Sequence, residues 1–459
     1  MLGFLRDGLV AYFFGADWHA DLYFLALLIP IFIENSLAVG VRDTLVAAFI
    51  REREGASGEY RQLAGQTGAL VLAAAAIFVV LFYISGSFWV DRFGGVWMKG
   101  HGQSVALAYD IGILMVATTL WSYYQTSLLH AERSFVWPAW RSVVFNIGGI
   151  VFLGLVWRSI EGLLLGLLVG QIAHIVVLQV KIGPAGLTMP LREDAARWKG
   201  LLPGFLVMVS VALFLQLGVG TERLLASWTG IGELSRLSYS FRIASVPVTL
   251  FAFSVVGICY ARFSRLAVDG VPAQMNGALV DAQRGSLFLL VPVAVLIYGY
   301  SDTVLDILLH RGAFHAGDVQ RTAELMRIYA IGMPAAGLSL VIMRFFAAIR
   351  EYRRLMVSVS SVQVVICIAY VAVYRNGVMA LALVTTIGAI VQALLLWMSL
   401  PRAMRALMGA AEWGALALII AAMAGLMRAA GNGLVGLVVG GAAAIVLPLA
   451  VTTAIGIRS

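Results

Sequence analysis

Apolar runs of membrane-spanning length recur along the whole chain and constrain its fold more than any other feature. The hydrocarbon core of a bilayer is about 30 Å thick, and a helix needs about 20 apolar residues to cross it. The 459 residues are 61% hydrophobic and 12% charged, whereas soluble proteins carry about 25% charged residues. Runs such as residues 71–84 and 162–180 lack the alternation expected of transmembrane β-strands. The sequence therefore predicts an all-α polytopic membrane protein.

Length and loop signals predict about fourteen transmembrane helices. Their approximate cores are residues 2–14, 22–49, 65–89, 105–130, 138–157, 161–180, 201–227, 236–261, 279–300, 320–348, 355–374, 378–399, 411–428 and 433–456. The first core is short, and we expect it to be either incomplete or preceded by further residues. The longest polar break in mid-chain is residues 181–200, which predicts either a linker between two lobes or an ordinary loop.

The distribution of lysine and arginine predicts the orientation of the chain. Loops rich in these residues alternate with poor ones, and the rich set lies in the cytoplasm by the positive-inside rule. An even number of spans then places both termini in the cytoplasm. The formal charge of +8 is explained by these loops and by anionic lipid headgroups, so we predict no nucleic-acid partner.

Charged side chains inside the apolar runs are the main functional signal, because charge in a bilayer is costly and usually faces a protein interior or a water-filled cavity. The basic ones are Arg6, Arg42, Arg223, Arg242 and Arg344, and the acidic ones are Asp7, Asp21, Glu34, Asp43, Asp110 and Glu222. Arginines in two weakly repeated segments suggest a cationic cavity, since the guanidinium fork suits phosphate or carboxylate. The alternative is that each arginine neutralises a nearby acid or reaches an interface.

Catalytic patterns are missing from the sequence. It contains no GxSxG, no HExxH and no Walker phosphate loop. The two cysteines and six histidines lack the spacing of a disulfide framework or metal site. We predict a protein that is not an enzyme and has no metal or other cofactor. Transport would then draw on the membrane potential or an ion gradient.

Three segments carry specific motifs, namely the opening Leu2-Gly3-Phe4-Leu5-Arg6-Asp7, the stretch Glu222-Arg223-Leu224-Leu225-Ala226-Ser227, and residues 308–338 with Arg311-Gly312-Ala313-Phe314. These segments resemble the MurJ (MviN) family of lipid II flippases. The resemblance implies the fold of the multidrug/oligosaccharidyl-lipid/polysaccharide flippase superfamily, with two six-helix lobes around a central cavity and two additional helices. The expected division is 1–180 for the first lobe, 181–200 for the linker, 201–400 for the second lobe and 401–459 for the two additional helices.

Some positions depart from the family pattern. Family members usually carry basic residues where Glu34 and Asn35 stand, and a glutamate where Val39 stands. An acid commonly precedes the arginine at Arg242, where this chain has Phe241. The cavity is therefore expected to be less basic than in a standard lipid II flippase, and an exopolysaccharide repeat unit is as good a candidate substrate as lipid II.

The resemblance implies an undecaprenyl-diphosphate-linked saccharide as substrate, translocated across a bacterial inner membrane by alternating access. The expected cavity residues are Arg6, Asp7, Asp21, Glu34, Arg223 and Arg242, and Glu222 is the candidate for proton or ion coupling. Arg6 and Arg242 would hold the diphosphate. Expected partners are membrane lipids and envelope glycosyltransferases or polymerases. Two alternatives stay open, namely a cation-coupled drug antiporter of the same superfamily and a non-transporting scaffold of an envelope-synthesis complex.

Overall fold

The structure is a computed structural model that describes residues 2–54, 60–86, 100–183, 195–252, 257–269, 272–405, 409–431 and 433–454. Within these ranges every regular element is a helix and no strand occurs. Ten helices in the described ranges are long and apolar enough to cross a membrane. The all-α, multi-pass prediction is therefore confirmed, while the count of fourteen spans stays a prediction.

The helices fall into two compact units, Met1–Ser235 and Arg236–Ser459. The first unit holds α1 (Leu2–Phe14), α2 (Trp18–Ala26), α3 (Leu28–Ile33), a π-helical turn (Glu34–Ala38), α4 (Val39–Glu54), α5 (Tyr60–Ile84), α6 (Gly102–Ala131), α7 (Val136–Ala139), α8 (Arg141–Val151), a second π-helical turn (Phe152–Val156), α9 (Ile160–Ile182) and α10 (Ala195–Ala226). Helix α11 (Glu233–Phe251) begins at the end of this unit.

The second unit continues with helices only. They are α12 (Gly257–Asp269), α13 (Pro272–Leu309), α14 (Ala316–Ala348), α15 (Tyr352–Val373), a 3₁₀ turn (Tyr374–Asn376), α16 (Val378–Ser399), a 3₁₀ turn (Arg402–Met404), α17 (Ala410–Ala430) and α18 (Leu434–Ala454). The lobe boundaries expected from the sequence stay predictions, and residues 184–194 of the expected linker lie outside the described ranges.

The span predicted as one helix over residues 22–49 is interrupted twice. Pro30 lacks an N–H, and it lies in the first turn of α3, where that loss is tolerated. Farther on, the Ser36 hydroxyl donates to the Phe32 carbonyl at 2.6 Å and competes for an acceptor of the helical ladder. The π-helical turn begins beside this bond, and such turns are frequent at functional sites.

Glycines let the helices of the first unit approach closely. A β-carbon at Gly166 would lie 2.5 Å from the Gly148 carbonyl oxygen, and one at Gly170 would lie 2.6 Å from the Val144 carbonyl oxygen. Both separations are too short for real β-carbons, so α8 and α9 can only pack this closely with glycine there. Gly166 and Gly170 therefore form part of a packing surface on α9.

The last two helices pack on α13 through an apolar cluster. Its buried members are Leu287, Phe288, Ala415, Leu416, Ile419, Met423 and Ala444. A β-carbon at Gly436 would lie 2.7 Å from the Tyr300 hydroxyl oxygen. Tyr300 also interrupts α13, with a non-helical φ of −112°. Within the second unit, α17 and α18 thus pack against α13 through apolar side chains and close glycine contacts.

Candidate functional site

One buried cluster joins the start of the chain to α2, and we call Arg6, Asp7 and Tyr23 the sealed cluster. The Arg6 side chain donates to Asp7 Oδ1 at 3.1 Å, and the Tyr23 hydroxyl donates to the same oxygen at 2.7 Å. The Arg6 guanidinium also lies 5.5 Å from the centre of the Tyr23 ring. The Arg6 and Asp7 side chains are only 6% and 4% exposed. Arg6 therefore has the acidic neighbour that the alternative interpretation of the sequence required.

Asp21 holds the N-terminus of α11. Its Oδ2 accepts from the Gly232 amide at 2.6 Å, and its Oδ1 accepts from the Ser235 amide at 2.8 Å. Gly232 has a φ of +80°, which glycine adopts without the clash that a β-carbon causes. Asp21 is fully buried, so its carboxylate satisfies donors that water cannot reach. The carboxylate thus fixes where α11 begins. The sequence led us to expect Asp21 in the cavity and did not predict this capping role.

A second cluster surrounds the π-helical turn, and we call Glu34, Tyr123 and Arg141 the open cluster. The Arg141 guanidinium forms an ion pair with Glu34 Oε1, and the Tyr123 hydroxyl donates to the same oxygen at 3.1 Å. Arg141 also donates to the Tyr123 hydroxyl at 3.3 Å. The Arg141 and Glu34 side chains are 21% and 28% exposed.

Arg42 adds a further positive charge beside the open cluster. Its guanidinium lies 6.0 Å from the centre of the Tyr123 ring, and that of Arg141 lies 4.9 Å from it. A cation within about 6 Å of an aromatic ring is attracted by the negative face of the ring. Two arginines therefore share one tyrosine ring next to one carboxylate.

Glu222 and Arg223 lie near the end of α10. Glu222 is 2% exposed and Arg223 is half-buried. Helix α10 packs against α3, the π-helical turn and α4. A β-carbon at Gly220 would lie 3.7 Å from the side chain of Phe32, the second-last residue of α3. The structure therefore brings the helix that carries Glu222 and Arg223 next to the segment that carries Glu34.

The motif over residues 308–338 has a structural explanation inside the second unit. Gly312 adopts a φ of +62° in the turn between α13 and α14. Asp318 accepts from the His315 amide at 3.2 Å and from Arg236 at 2.8 Å. Phe314 is 1% exposed and meets the Tyr239 ring edge-on at 5.7 Å between centroids. These residues hold the first turn of α14 against α11.

Arg242 lies on α11, and neighbouring residues of that helix line a small cavity to which Arg242 itself does not contribute. The cavity has a volume of about 140 Å³, and its lining includes Phe241, Ser245, Tyr329, Met333 and Thr385. Arg242 itself is half-buried. The described lining is mostly apolar, so the cavity suits an apolar group more than a charged one.

Two members of the open cluster were missed as site residues from the sequence. Arg141 lies within the candidate span Val136–Val156. An arginine three residues after Pro138 in an apolar run was the available signal. Tyr123 carries no comparable signal, because tyrosines are common in membrane helices.

Comparison with known families and proteins gives a consistent result. The model of the family described as "Lipid II flippase MurJ" matches residues 10–456. A curated relative from Aquifex aeolicus (strain VF5), named "Probable lipid II flippase MurJ", is 23% identical over 346 residues. That match covers 73% of this chain and 66% of the relative, so the aligned part is just under two thirds of the relative's length.

Two solved structures share the fold. "Lipid II flippase MurJ, inward closed conformation" has a TM-score of 0.85 at 22% sequence identity, and the match covers 99% of this chain and 96% of the MurJ chain. An inward-facing multidrug resistance MATE family transporter of the MOP superfamily has a TM-score of 0.70 at 13% identity. That match covers 86% of this chain and 92% of the MATE transporter chain. At these identities the likeness establishes the fold, and the MurJ structure fits more of the chain.

Proposed function

The chain belongs to the lipid II flippase MurJ family, and from this premise we propose that it translocates lipid II across a membrane for peptidoglycan synthesis. The observation that carries the proposal is the match of the family model over residues 10–456. Lipid II is a polyprenyl-diphosphate-linked saccharide, so the protein needs cationic groups for the diphosphate and an apolar environment for the tail. The work is transport and involves no bond chemistry.

We further propose roles for the embedded charges. Arg242 and Arg223 are half-buried, which leaves part of each side chain open to a ligand. Arginine binds the oxygens of a phosphate through two parallel N–H groups. Arg6 is largely buried against Asp7, so its contribution to diphosphate binding would require that pair to open. We assign the direct contacts first to Arg223 and Arg242, and place Arg6, Asp7 and Asp21 as supports.

We propose that Glu222 couples transport to its energy source. It is acidic, 2% exposed and located on α10, which packs against the π-helical turn. A buried carboxylate can exchange a proton or a cation when its environment changes. The membrane potential or an ion gradient would then drive the cycle.

The proposed location is the bacterial inner membrane, with both termini in the cytoplasm. The alternation of arginine-rich and arginine-poor loops along the sequence supports this orientation. Lipid II is made on the cytoplasmic side and used outside, so the protein would act between envelope glycosyltransferases and polymerases.

A translocation assay tests the proposal. Purified protein is reconstituted into liposomes with labelled lipid II, and the label reaching the opposite leaflet is measured with and without a membrane potential. We expect protein-dependent transfer of lipid II and no acceleration of a labelled phospholipid. An undecaprenyl-diphosphate-linked oligosaccharide in a parallel sample measures selectivity for the saccharide. Export of an organic cation without lipid II transfer would instead support the antiporter.

A substitution of Arg242 tests its assignment as a contact to the diphosphate. Arg242→Ala should lower the transfer rate by about tenfold or more, because it removes a charged contact to the diphosphate. The matched control is Arg353→Ala, which changes an exposed arginine of the same unit. Equal rates for both variants and the unchanged protein would remove Arg242 from the site.

A further inference from the structure

The open cluster has the form of an anion site that already holds an anion. The Tyr123 hydroxyl and the Arg141 guanidinium both direct hydrogen bonds to Glu34 Oε1. Arg42 lies over the same tyrosine ring. Donors from α6 and α8 thus converge on one carboxylate oxygen. A phosphate oxygen needs the same donors in the same arrangement.

The exposure of the open cluster allows a ligand to take the place of Glu34. Its arginine and acid are 21% and 28% exposed, compared with 6% and 4% in the sealed cluster. A partly exposed ion pair can be reached from outside the protein, so a ligand can approach its charges more easily than those of a buried pair. Breaking a buried pair leaves an uncompensated charge. Glu34 can therefore leave Arg141 at a cost that binding of a ligand can offset.

The backbone under Glu34 differs from an ordinary helix. Glu34 is the first residue of the π-helical turn that ends at Ala38. A π-helical turn carries an extra residue in the hydrogen-bond ladder, so conversion to α-helix rotates the residues around it. The side chain of Glu34 is thus attached where a small backbone rearrangement can move it.

We propose that Glu34 is an internal counter-anion that occupies the site of a substrate phosphate and is displaced from Arg141 when the diphosphate binds. This inference rests on the proposed function, and it assigns Arg141 and Tyr123 as substrate contacts. A diphosphate diester carries one negative charge on each phosphate, and its oxygens can accept the hydrogen bonds that Tyr123 and Arg141 give to Glu34.

Binding measurements on the full-length protein in nanodiscs test the exchange. The probe is undecaprenyl diphosphate, and phosphatidylglycerol serves as a second probe that separates diphosphate binding from general anionic-lipid binding. Glu34→Gln should raise the affinity for undecaprenyl diphosphate by about tenfold, because the competing charge is gone. Arg141→Gln should lower that affinity by about tenfold or more. Binding of phosphatidylglycerol should change by less than about twofold in both variants.

The double variant and matched controls make the test specific. Once Arg141 is replaced, Glu34→Gln should no longer raise the affinity, since the two side chains compete only through that arginine. Glu132→Gln and Arg158→Gln change exposed charges of the same unit and should bind like the unchanged protein. Unchanged or weaker binding by a folded Glu34→Gln protein overturns the proposal, and so does an equal effect on phosphatidylglycerol.

A measurement on the unchanged protein covers the case in which Glu34→Gln fails to fold. Carbodiimide and an amine label accessible carboxylates, and mass spectrometry reports the labelled fraction of Glu34. Undecaprenyl diphosphate should increase that fraction at least about twofold, because the carboxylate leaves its donors. A decrease in the labelled fraction of Glu34, or no change in it, overturns the proposal. Lipid II transfer that persists in that case leaves the proposed function intact, so the two failures are distinguishable.

Discussion

The sealed and open clusters use the same three chemical groups in the same arrangement. In each, one carboxylate oxygen accepts from a tyrosine hydroxyl and an arginine, at 2.7 Å from Tyr23 and 3.1 Å from Tyr123. In each, the arginine also lies over that tyrosine ring, at 5.5 Å for Arg6 and 4.9 Å for Arg141. They differ in burial and in how far apart along the chain their members lie.

That difference separates a structural ion pair from an exchangeable one. The sealed pair joins neighbouring residues with buried side chains, so removal of one charge deprives the other of its opposite charge inside the protein. The open pair joins residues 107 positions apart and is partly exposed. A ligand can therefore reach Arg141 from outside the protein. Both clusters contain an arginine, a carboxylate and a tyrosine, so we attribute their different roles to their different exposure.

The largest effect is expected for the sealed cluster. Arg6→Ala leaves Asp7 as a buried charge without its neighbouring arginine, which should cost about 3–5 kcal/mol of folding free energy. Unfolding of the purified protein in mixed micelles measures the loss. An unchanged unfolding midpoint would contradict the distinction between the clusters.

An apolar version of the sealed cluster separates its structural role from a role in binding. The triple change Arg6→Met, Asp7→Leu and Tyr23→Phe removes both charges and the hydroxyl together. Such replacement of a buried ion pair is often neutral for stability, so we expect folded protein. Transfer of lipid II by this variant would show that Arg6 is a support. Folded protein without transfer would make Arg6 a direct contact for the diphosphate.

The next largest effect is expected at Asp21. Asp21→Ala leaves the amides of Gly232 and Ser235 without their acceptor, and both residues are buried. Loss of an N-terminal cap costs about 0.5–2 kcal/mol. The unfolding midpoint should fall less than for Arg6→Ala. Asp21→Asn keeps one acceptor oxygen and should recover part of the loss, whereas an equal loss would point to the charge instead of the hydrogen bonds.

The sequence predicted the helices well because apolar length is a local property. The core predicted over residues 378–399 coincides with α16, Val378–Ser399. Among the charged side chains predicted to be embedded, Asp7, Asp21 and Glu222 are buried, whereas Asp110 and Arg344 are exposed.

Partners were harder to predict than burial, because they depend on packing between distant segments. Asp21 binds an amide 211 residues away, and Glu34 binds an arginine 107 residues away. Even the pair of Arg6 and Asp7 does not follow from spacing, because adjacent side chains on a helix point in different directions. The π-helical turn was also missed, since the hydrophobic pattern does not encode it.

A smaller effect is expected for the pair of Arg236 and Asp318, which is intermediate in exposure at 12% and 15%. Asp318→Asn removes the charge and keeps the side-chain shape, so the amide of His315 retains an acceptor. We expect a loss of about 1 kcal/mol, between the values for buried and exposed pairs. Micelle unfolding of Asp318→Asn beside Asp281→Asn, an exposed acid of the same unit, measures it. A loss as large as that of Arg6→Ala would break the relation between burial and cost.

The smallest effect on stability is expected for Glu34→Gln, although its effect on binding should be large. The pair with Arg141 is partly exposed, and exposed pairs contribute about 0–1 kcal/mol to folding. Glutamine keeps an acceptor for the Tyr123 hydroxyl, so the helices lose only the charge attraction. The unfolding midpoint should therefore stay near that of the unchanged protein while the affinity for undecaprenyl diphosphate rises. A loss comparable to that of Arg6→Ala would make Glu34 a structural residue like Asp7, and the two clusters would then differ in exposure but not in role.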